Sequence, residues 1–513
     1  MAEQEKAGAA KAGNMKSLAR DTAIYGLSSI VGRFLNYLLV PLYTAKLAAA
    51  SGGYGIITEI YSYVALLLVL LTFGMETTFF RFVNKEGIEP QRVYSTTLLM
   101  VGSTGLAFIA AVAGFLPDIA AALDYASHPD FLMMMAVVVA LDAFQSIPFA
   151  YLRYRRKAIK FASLKLLFIV LNIALNLIYF VLLPALYEQP GMHDFVARIY
   201  SPDYGVGYAF AINLFCTAFI TLFFRRELTG FRYIFDRSLA RRMLSYSWPI
   251  LILGIAGILN QTADKIIFPR VVEGHEGKVQ LGIYGASVKI AMIMAMITQA
   301  FRYAYEPFVF GKAKDKDNRA TYAAAMKYFI IFTLLAFLMV VGYMDILQYI
   351  IGSSYREGLR VVPIVMAAEI MMGVYFNLSF WYKLIDKTIW GAVFSGIGCL
   401  VLIAVNLIFI PEYGYMACAW AGFAGYATAM ILSYMVGQHY YPIHYPLVSI
   451  GVYVAITVLF FCVMQWTASQ VDSVALRLLI NTGCIVLFIA HTVHYDFPLS
   501  NLPVVGKYFK KKA

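Results

Sequence analysis

"GGYGIITEIYSYVALLLVLLTFGMETTFFRF", residues 52–82, is apolar for long enough to cross a bilayer core, yet it carries Glu59, Glu76 and Arg81. A spanning helix needs roughly 20 mainly apolar residues, and a charge at bilayer depth is costly enough to mark a functional suspect. The pattern returns at 281–310 as "LGIYGASVKIAMIMAMITQAFRYAYEPFVF", and the interval from Tyr54 to Glu76 equals that from Tyr284 to Glu306. A second echo pairs "NLIYF...YGVGYAFA" (176–211) with "NLIFIPEYGYMACAWA" (406–421). One helical unit is therefore written twice along the chain. An even number of crossings between the copies makes them parallel repeats.

The rest of the chain is read in the same terms. Of 513 residues 61% are hydrophobic and 14% charged, far from soluble averages. Fourteen stretches qualify as spans, near 21–44, 54–82, 92–116, 131–152, 161–186, 204–224, 243–269, 279–310, 322–343, 360–382, 388–410, 413–436, 446–466 and 475–494. The expected fold is an all-α polytopic membrane protein of 14 transmembrane helices, with two six-helix lobes related as repeats plus two C-terminal helices. The divisions are a tail at 1–20, an N-lobe at 21–230, a C-lobe at 231–440, the last two spans at 441–496 and a basic tail at 497–513.

The formal net charge of +12 resides in short loops, not in a basic domain, so it argues for topology and against nucleic acid. Alternate loops carry "RYRRKAIK" (153–160), "RRELTGFRYIFDRSLARR" (225–242) and "KAKDKDNR" (312–319), whereas "PDIAAALDYASHPD" (117–130) is acidic. Cytoplasmic loops collect Lys and Arg; both termini are expected in the cytoplasm. The polar start "MAEQEKAGAAKAGNMKSLAR" lacks the pattern of a removable signal peptide. Cys216, Cys399, Cys418, Cys462 and Cys484 lie in apolar runs without CxxC spacing, which suits packing better than zinc or disulfides.

Nearly all of the 41 Lys and Arg fall in loops or at termini. The exceptions are Arg33, Arg81, Lys165, Lys265, Lys289 and Arg302, and all but Lys165 lie on the first two spans of a repeat. That concentration predicts a basic cavity between the halves. Arg81 and Lys165 also fit snorkelling to the interface, and Lys265 beside Asp264 also fits a local ion pair. Arg33 and Lys289 sit about 15 Å from their span ends at the helical rise, too deep for easy snorkelling. Glu59, Glu76, Asp264, Glu306 and Glu369 are the acidic candidates for support or coupling, and Arg302 and Glu306 are spaced to pair on one helix face. Glu76 and Glu306, at matching repeat positions, suggest an architectural tether before an ion-coupling site. Tyrosine-rich stretches such as "YYPIHY" (440–445) fit interfacial belts, and aromatic rings can also stack on sugars. Pro41, Pro249 and Pro269 would allow bends.

At "GRFLNYLLVPLYTAKL" (32–47), the two repeat stretches above and "NLIFIPEYGYMACAWA", the chain resembles the bacterial polysaccharide transporter family. These are the Wzx-type flippases of O-antigen and capsule, within the superfamily that includes MATE-type multidrug antiporters and the lipid II flippase MurJ. The resemblance covers spans 1 to 12. It implies a central cationic cavity opening alternately to each side of the bacterial inner membrane, with an oligosaccharide on undecaprenyl pyrophosphate as cargo. Membrane lipids and glycan polymerase machinery are the implied partners, with no cofactor. A diphosphate calls for Arg or Lys in a place of low dielectric, and Arg33, Lys289, Arg302, Arg81 and Lys265 are the residues offered. Lys289 is a point charge without the bidentate fork of arginine.

A lipid II flippase and a cation-coupled antiporter of the same fold are the alternatives. The antiporter would favour a mainly acidic cavity. A membrane enzyme is disfavoured, because no clustered His, Asp or Glu shows metal-ligand or acid–base spacing. A nucleotide-binding GxxxxGK[ST] motif is missing as well.

Overall fold

The computed structural model describes residues 37–85, 87–312, 318–385 and 387–496, except the side chains of 303, 304, 306–312 and 318. These residues are all-helical, without strands. Among the described residues, twelve helices are long and apolar enough to cross a membrane. Two expected spans are not among them. Gly207–Leu222 is apolar but has 16 residues, and the first span is described only from Tyr37 onward. None of the five cysteines forms a disulfide, and all but Cys462 are buried.

The chain forms two compact units, Met1–Gly282 and Ile283–Ala513. In the first, α1 (Leu39–Lys46) leads to α2 (Gly53–Thr72) and α3 (Met75–Val83). The break inside this span has a local cause: Phe73 and Gly74 both take left-handed φ, 49° and 67°, which ends one helix and starts another. Then come α4 (Pro90–Gly114), α5 (Pro129–Tyr154), α6 (Ala158–Leu177), α7 (Gly207–Leu222) and α8 (Arg237–Val271). A π-turn, Ile178–Leu182, and a short helix, Leu183–Tyr187, carry α6 onward. Helix α8 runs unbroken through Pro249 and Pro269. The core of this unit joins Met75, Phe79, Tyr94, Ile147 and Met243 from four helices.

The basic segment between α7 and α8 is folded down, not loose. Glu227, 3% exposed, pairs with Lys160, and its carbonyl accepts from Tyr94 at 2.9 Å. Ser95 Oγ accepts from the Ile234 amide at 2.7 Å, and Thr96 bonds to Ile234 O and the Asp236 amide. Asp236 caps α8, accepting from Leu239 N at 3.0 Å. That bond, then the Ser238 hydroxyl, hold its carboxyl below the usual range.

Helix α9 (Gly274–Lys312) belongs to the first unit through Gly282 and to the second beyond it. The second unit continues with α10 (Asn318–Gly342), α11 (Val362–Leu378), α12 (Ile389–Tyr413), α13 (Tyr415–Tyr440), α14 (Leu447–Gln470) and α15 (Val474–Tyr495). Small residues let membrane helices approach closely. Gly398 and Gly425 do so on α12 and α13: a Cβ added to either would stand 2.7 Å from the other's carbonyl oxygen. Val448, Leu459, Trp466 and Leu479 on α14 and α15 are more than half exposed, the pattern expected when lipid is the solvent.

Helix α15 is clasped to α10 at both ends. Arg477 pairs with Asp345 at 3.0 Å, while Asn481 Nδ2 donates to Gly342 O at 2.8 Å. At the other end Asp496 pairs with Lys327 and accepts from Tyr453 at 2.6 Å. Burial alone would raise the Asp496 pKa, but the Lys327 and Tyr453 hydrogen bonds and the ammonium charge outweigh it and lower it. A depressed carboxylate stabilises the fold above the unfolded-state pKa, and the benefit is lost as pH falls through the folded value. Asp496→Asn should therefore lower the thermal midpoint of the purified protein at pH 7 by an amount worth about 1–2 kcal/mol. The gap to the parent should close below about pH 4, and a gap that persists in acid would contradict this assignment.

Candidate functional site

Glu59 lies in the second turn of α2 and is 1% exposed. A carboxylate buried in an apolar span needs its lone pairs filled, and two tyrosines fill them. Tyr125 Oη donates to Oε2 at 2.7 Å, and Tyr63 Oη, one turn along α2, approaches Oε1 at 3.4 Å. Burial, then the Glu59 charge, push the Tyr125 hydroxyl far up, so it remains a donor.

Two cations complete the cluster. Arg270, in the last turn of α8, donates from Nη2 to Tyr63 Oη at 3.0 Å and from Nη1 to Ala122 O at 2.6 Å. Lys278, in the second turn of α9, donates to Asp124 O and Oδ2, each at 2.9 Å, and stands 4.7 Å from the Tyr125 ring centroid. Asp124 presents both acceptors from a left-handed backbone, φ 61°, a conformation aspartate tolerates better than most residues. Around them lies a cavity of about 480 Å³, lined by Glu59, Asp124, Arg270, Glu273 and Lys278 among others. Helix packing brings the groups together: Gly55 lies so close to α9 that a Cβ there would meet Lys278 O at 1.8 Å.

Chemically this is a lock of alternating charge bridged by phenols. It lacks the nucleophile–base pairing of a hydrolase, and among the described residues no three His, Cys, Asp or Glu are placed to hold a metal. Glu59→Ala should strand the Tyr125 donor and cost about 2–3 kcal/mol, whereas Glu59→Gln should cost less. Thermal unfolding of both variants checks this, and an alanine variant as stable as the parent would contradict it.

The other sequence candidates fall elsewhere. Glu76 opens α3, where a helix N-terminus favours negative charge, and it pairs with Arg153 from the last turn of α5. Arg153 also lies 4.8 Å over the Phe80 ring. Arg81 stands 4.7 Å over the Tyr246 ring. Lys265 pairs with its neighbour Asp264 at 3.0 Å and donates to Gln261 O. In the second unit Lys289 and Glu369 are half-buried on α9 and α11, and Arg302 stands 4.5 Å over Phe376. Arg33 lies outside the described residues, and the Glu306 side chain does too. Tyr63, Asp124, Tyr125, Arg153, Arg270 and Lys278 escaped the sequence reading. A signal for three of them was present: the cations of "PRVVEGHEGK" (269–278) complement the acidic 117–130 loop.

Comparison with known proteins places this geometry in context. A protein family described as polysaccharide biosynthesis protein matches residues 18–305. Lsg locus putative protein 1 of Haemophilus influenzae is 20% identical over 340 residues, covering 66% of this chain and 77% of that protein. The fold is similar to that of the lipid II flippase MurJ in an inward closed conformation, with a TM-score of 0.70 and 13% identity over 92% of this chain and 98% of that one. It is also similar to an inward-facing multidrug resistance MATE family transporter of the MOP superfamily, with a TM-score of 0.60 and 14% identity over 82% and 97%.

Proposed function

Because this chain belongs to the polysaccharide biosynthesis protein family, we propose that it is a flippase for undecaprenyl-pyrophosphate-linked oligosaccharide, working by alternating access in the bacterial inner membrane. The observation that carries this reading is the setting of Lys289 and Arg302, two half-buried cations on one apolar helix. A diphosphate leaving water for a place of low dielectric needs such partners. Arg33 is the third cation proposed for this role, with Arg81 and Lys265 as lesser contributors. Glu59, Glu76, Asp264, Glu306 and Glu369 then balance or tether the cations.

Proteoliposomes test the cargo directly. A fluorescent undecaprenyl-pyrophosphate oligosaccharide in one leaflet should become accessible to a membrane-impermeant quencher faster with the protein than without it. Movement of lipid II alone, or of cationic drugs alone, would overturn the assignment in favour of the corresponding alternative.

Both termini are cytoplasmic in this reading, on the basic-loop pattern. A reporter fused after residue 125 should respond as periplasmic, and fusions after 157 and 235 as cytoplasmic. The reverse pattern would overturn the orientation.

A further inference from the structure

We propose that the connection between α6 and α7 is a platform that binds the sugar rings of a glycan, independently of the pyrophosphate. As a site for the cargo's glycan it rests on the reading above; as a site for sugar it stands on its own geometry. Tyr179, Tyr187, Tyr200, Tyr204 and Tyr208 converge here. Tyr200 and Tyr208 stack with centroids 5.4 Å apart at 18°. Tyr208 meets Tyr179 at 4.9 Å and Tyr204 at 5.0 Å, and Tyr187 meets Tyr200 at 5.8 Å. These rings form one ladder held to the bundle. Tyr204 Oη donates to Asp130 Oδ2 at 2.7 Å, and Tyr208 Oη accepts from the Ser201 amide at 2.7 Å.

The chemistry suits carbohydrate. Tyrosine offers a rigid, amphipathic face at low entropic cost, to which the C–H face of a pyranose can pack while hydroxyls bond at the edge. Burial, then the neighbouring Tyr208 and Tyr187, push the Tyr200 hydroxyl up, so it stays protonated. Glu188, Asp194 and Asp203 are exposed along the same segment and accept from sugar hydroxyls. With Arg198 as the one Lys or Arg in 188–206, three acids leave a formal charge of −2. Such a surface repels a diphosphate and favours neutral, acetamido or amino sugars over uronic acids.

Its location fits a sugar tethered to lipid. Met192, Phe195 and Ile199 are 39%, 64% and 50% exposed. Phe195 and Ile199 are four residues apart across a short turn, and exposed apolar side chains of this kind can settle at a headgroup boundary. In this proposal the platform meets the glycan close to its lipid anchor.

The probe is free chitotriose, which carries neither lipid nor phosphate. Saturation-transfer NMR is recorded with the full chain in nanodiscs assembled without sugar-headed detergent. The parent should transfer saturation to the pyranose ring protons. Tyr187→Ala/Tyr200→Ala should reduce the transfer at least threefold, and Tyr187→Phe/Tyr200→Phe should retain most of it, which separates loss of the rings from misfolding. No transfer in the parent, or equal transfer in parent and alanine variant, overturns the platform. If flipping of the lipid-linked oligosaccharide persists while chitotriose gives no transfer, the platform falls and the cargo assignment stands. If transfer depends on the rings but no such cargo is flipped, the platform stands and the cargo assignment falls.

Discussion

Gly55→Ala should be among the most damaging single-methyl changes in the molecule. Its Cβ would sit 1.8 Å from Lys278 O, 2.7 Å from that residue's carbonyl carbon and 3.1 Å from Gly282 N. All three are backbone atoms of one helix, so no rotamer change relieves the clash. The first two turns of α9 must move away from α2. That shift pulls Lys278 from Asp124 and opens the cluster around Glu59. Overpacking costs about 1–3 kcal/mol and sometimes more, and this site belongs at the upper end, because the displaced element also carries an ion pair. The expected result is a fall of several degrees in the thermal midpoint and reduced folded protein in membranes. Gly257→Ala on α8 is the control. Nothing lies within 4 Å of its added Cβ, and alanine is the better helix former, so stability should hold or rise slightly. Equal behaviour of the two variants would contradict the close packing of α2 on α9.

Arg33→Ala should abolish flipping while leaving the protein inserted. An arginine inside an apolar span is expensive, and the proposal of a ligand role for Arg33 rests on that cost. The rival is a structural ion pair. Glu59 is a poor partner for it, because Tyr125 and Tyr63 already occupy its oxygens. Arg33→Lys keeps the charge but loses the bidentate fork, so partial activity is expected. The measurement is complementation of a flippase-deficient strain, with membrane abundance and thermal stability recorded alongside. Full complementation by alanine would sink the ligand role. Loss of folded protein, rescued by neutralising Glu369 as well, would instead favour the pair, since stranding a buried charge costs about 3–5 kcal/mol.

What the sequence made legible was local. Span positions depend on hydropathy within windows of roughly 20 residues. The Asp264–Lys265 pair needed only adjacency. The cluster at Glu59 was half legible: the acid was visible in its apolar run, but Tyr125 is 66 residues away, and Arg270 and Lys278 come from the far end of another helix pair. Arg153 was read as a topology-setting loop cation, yet it closes the last turn of α5 onto Glu76. The glycines were silent for the same reason. Gly55, Gly398 and Gly425 matter for what passes beside them, and no window along the chain contains that information.

The fastened segment between α7 and α8 has a consequence for proteolysis. With Arg225, Arg226 and Arg232 exposed, it reads as the place where trypsin would cut the chain between its repeats. A protease needs several residues in extended form, however, and this stretch is tied at Glu227, Ile234 and Asp236 to α4 and α6. Nicking there requires Lys160 and Tyr94 to release it first. The junction is thus a protected one, and an affinity tag or fluorescent domain inserted at it would have to break the bonds that hold this segment against α4 and α6.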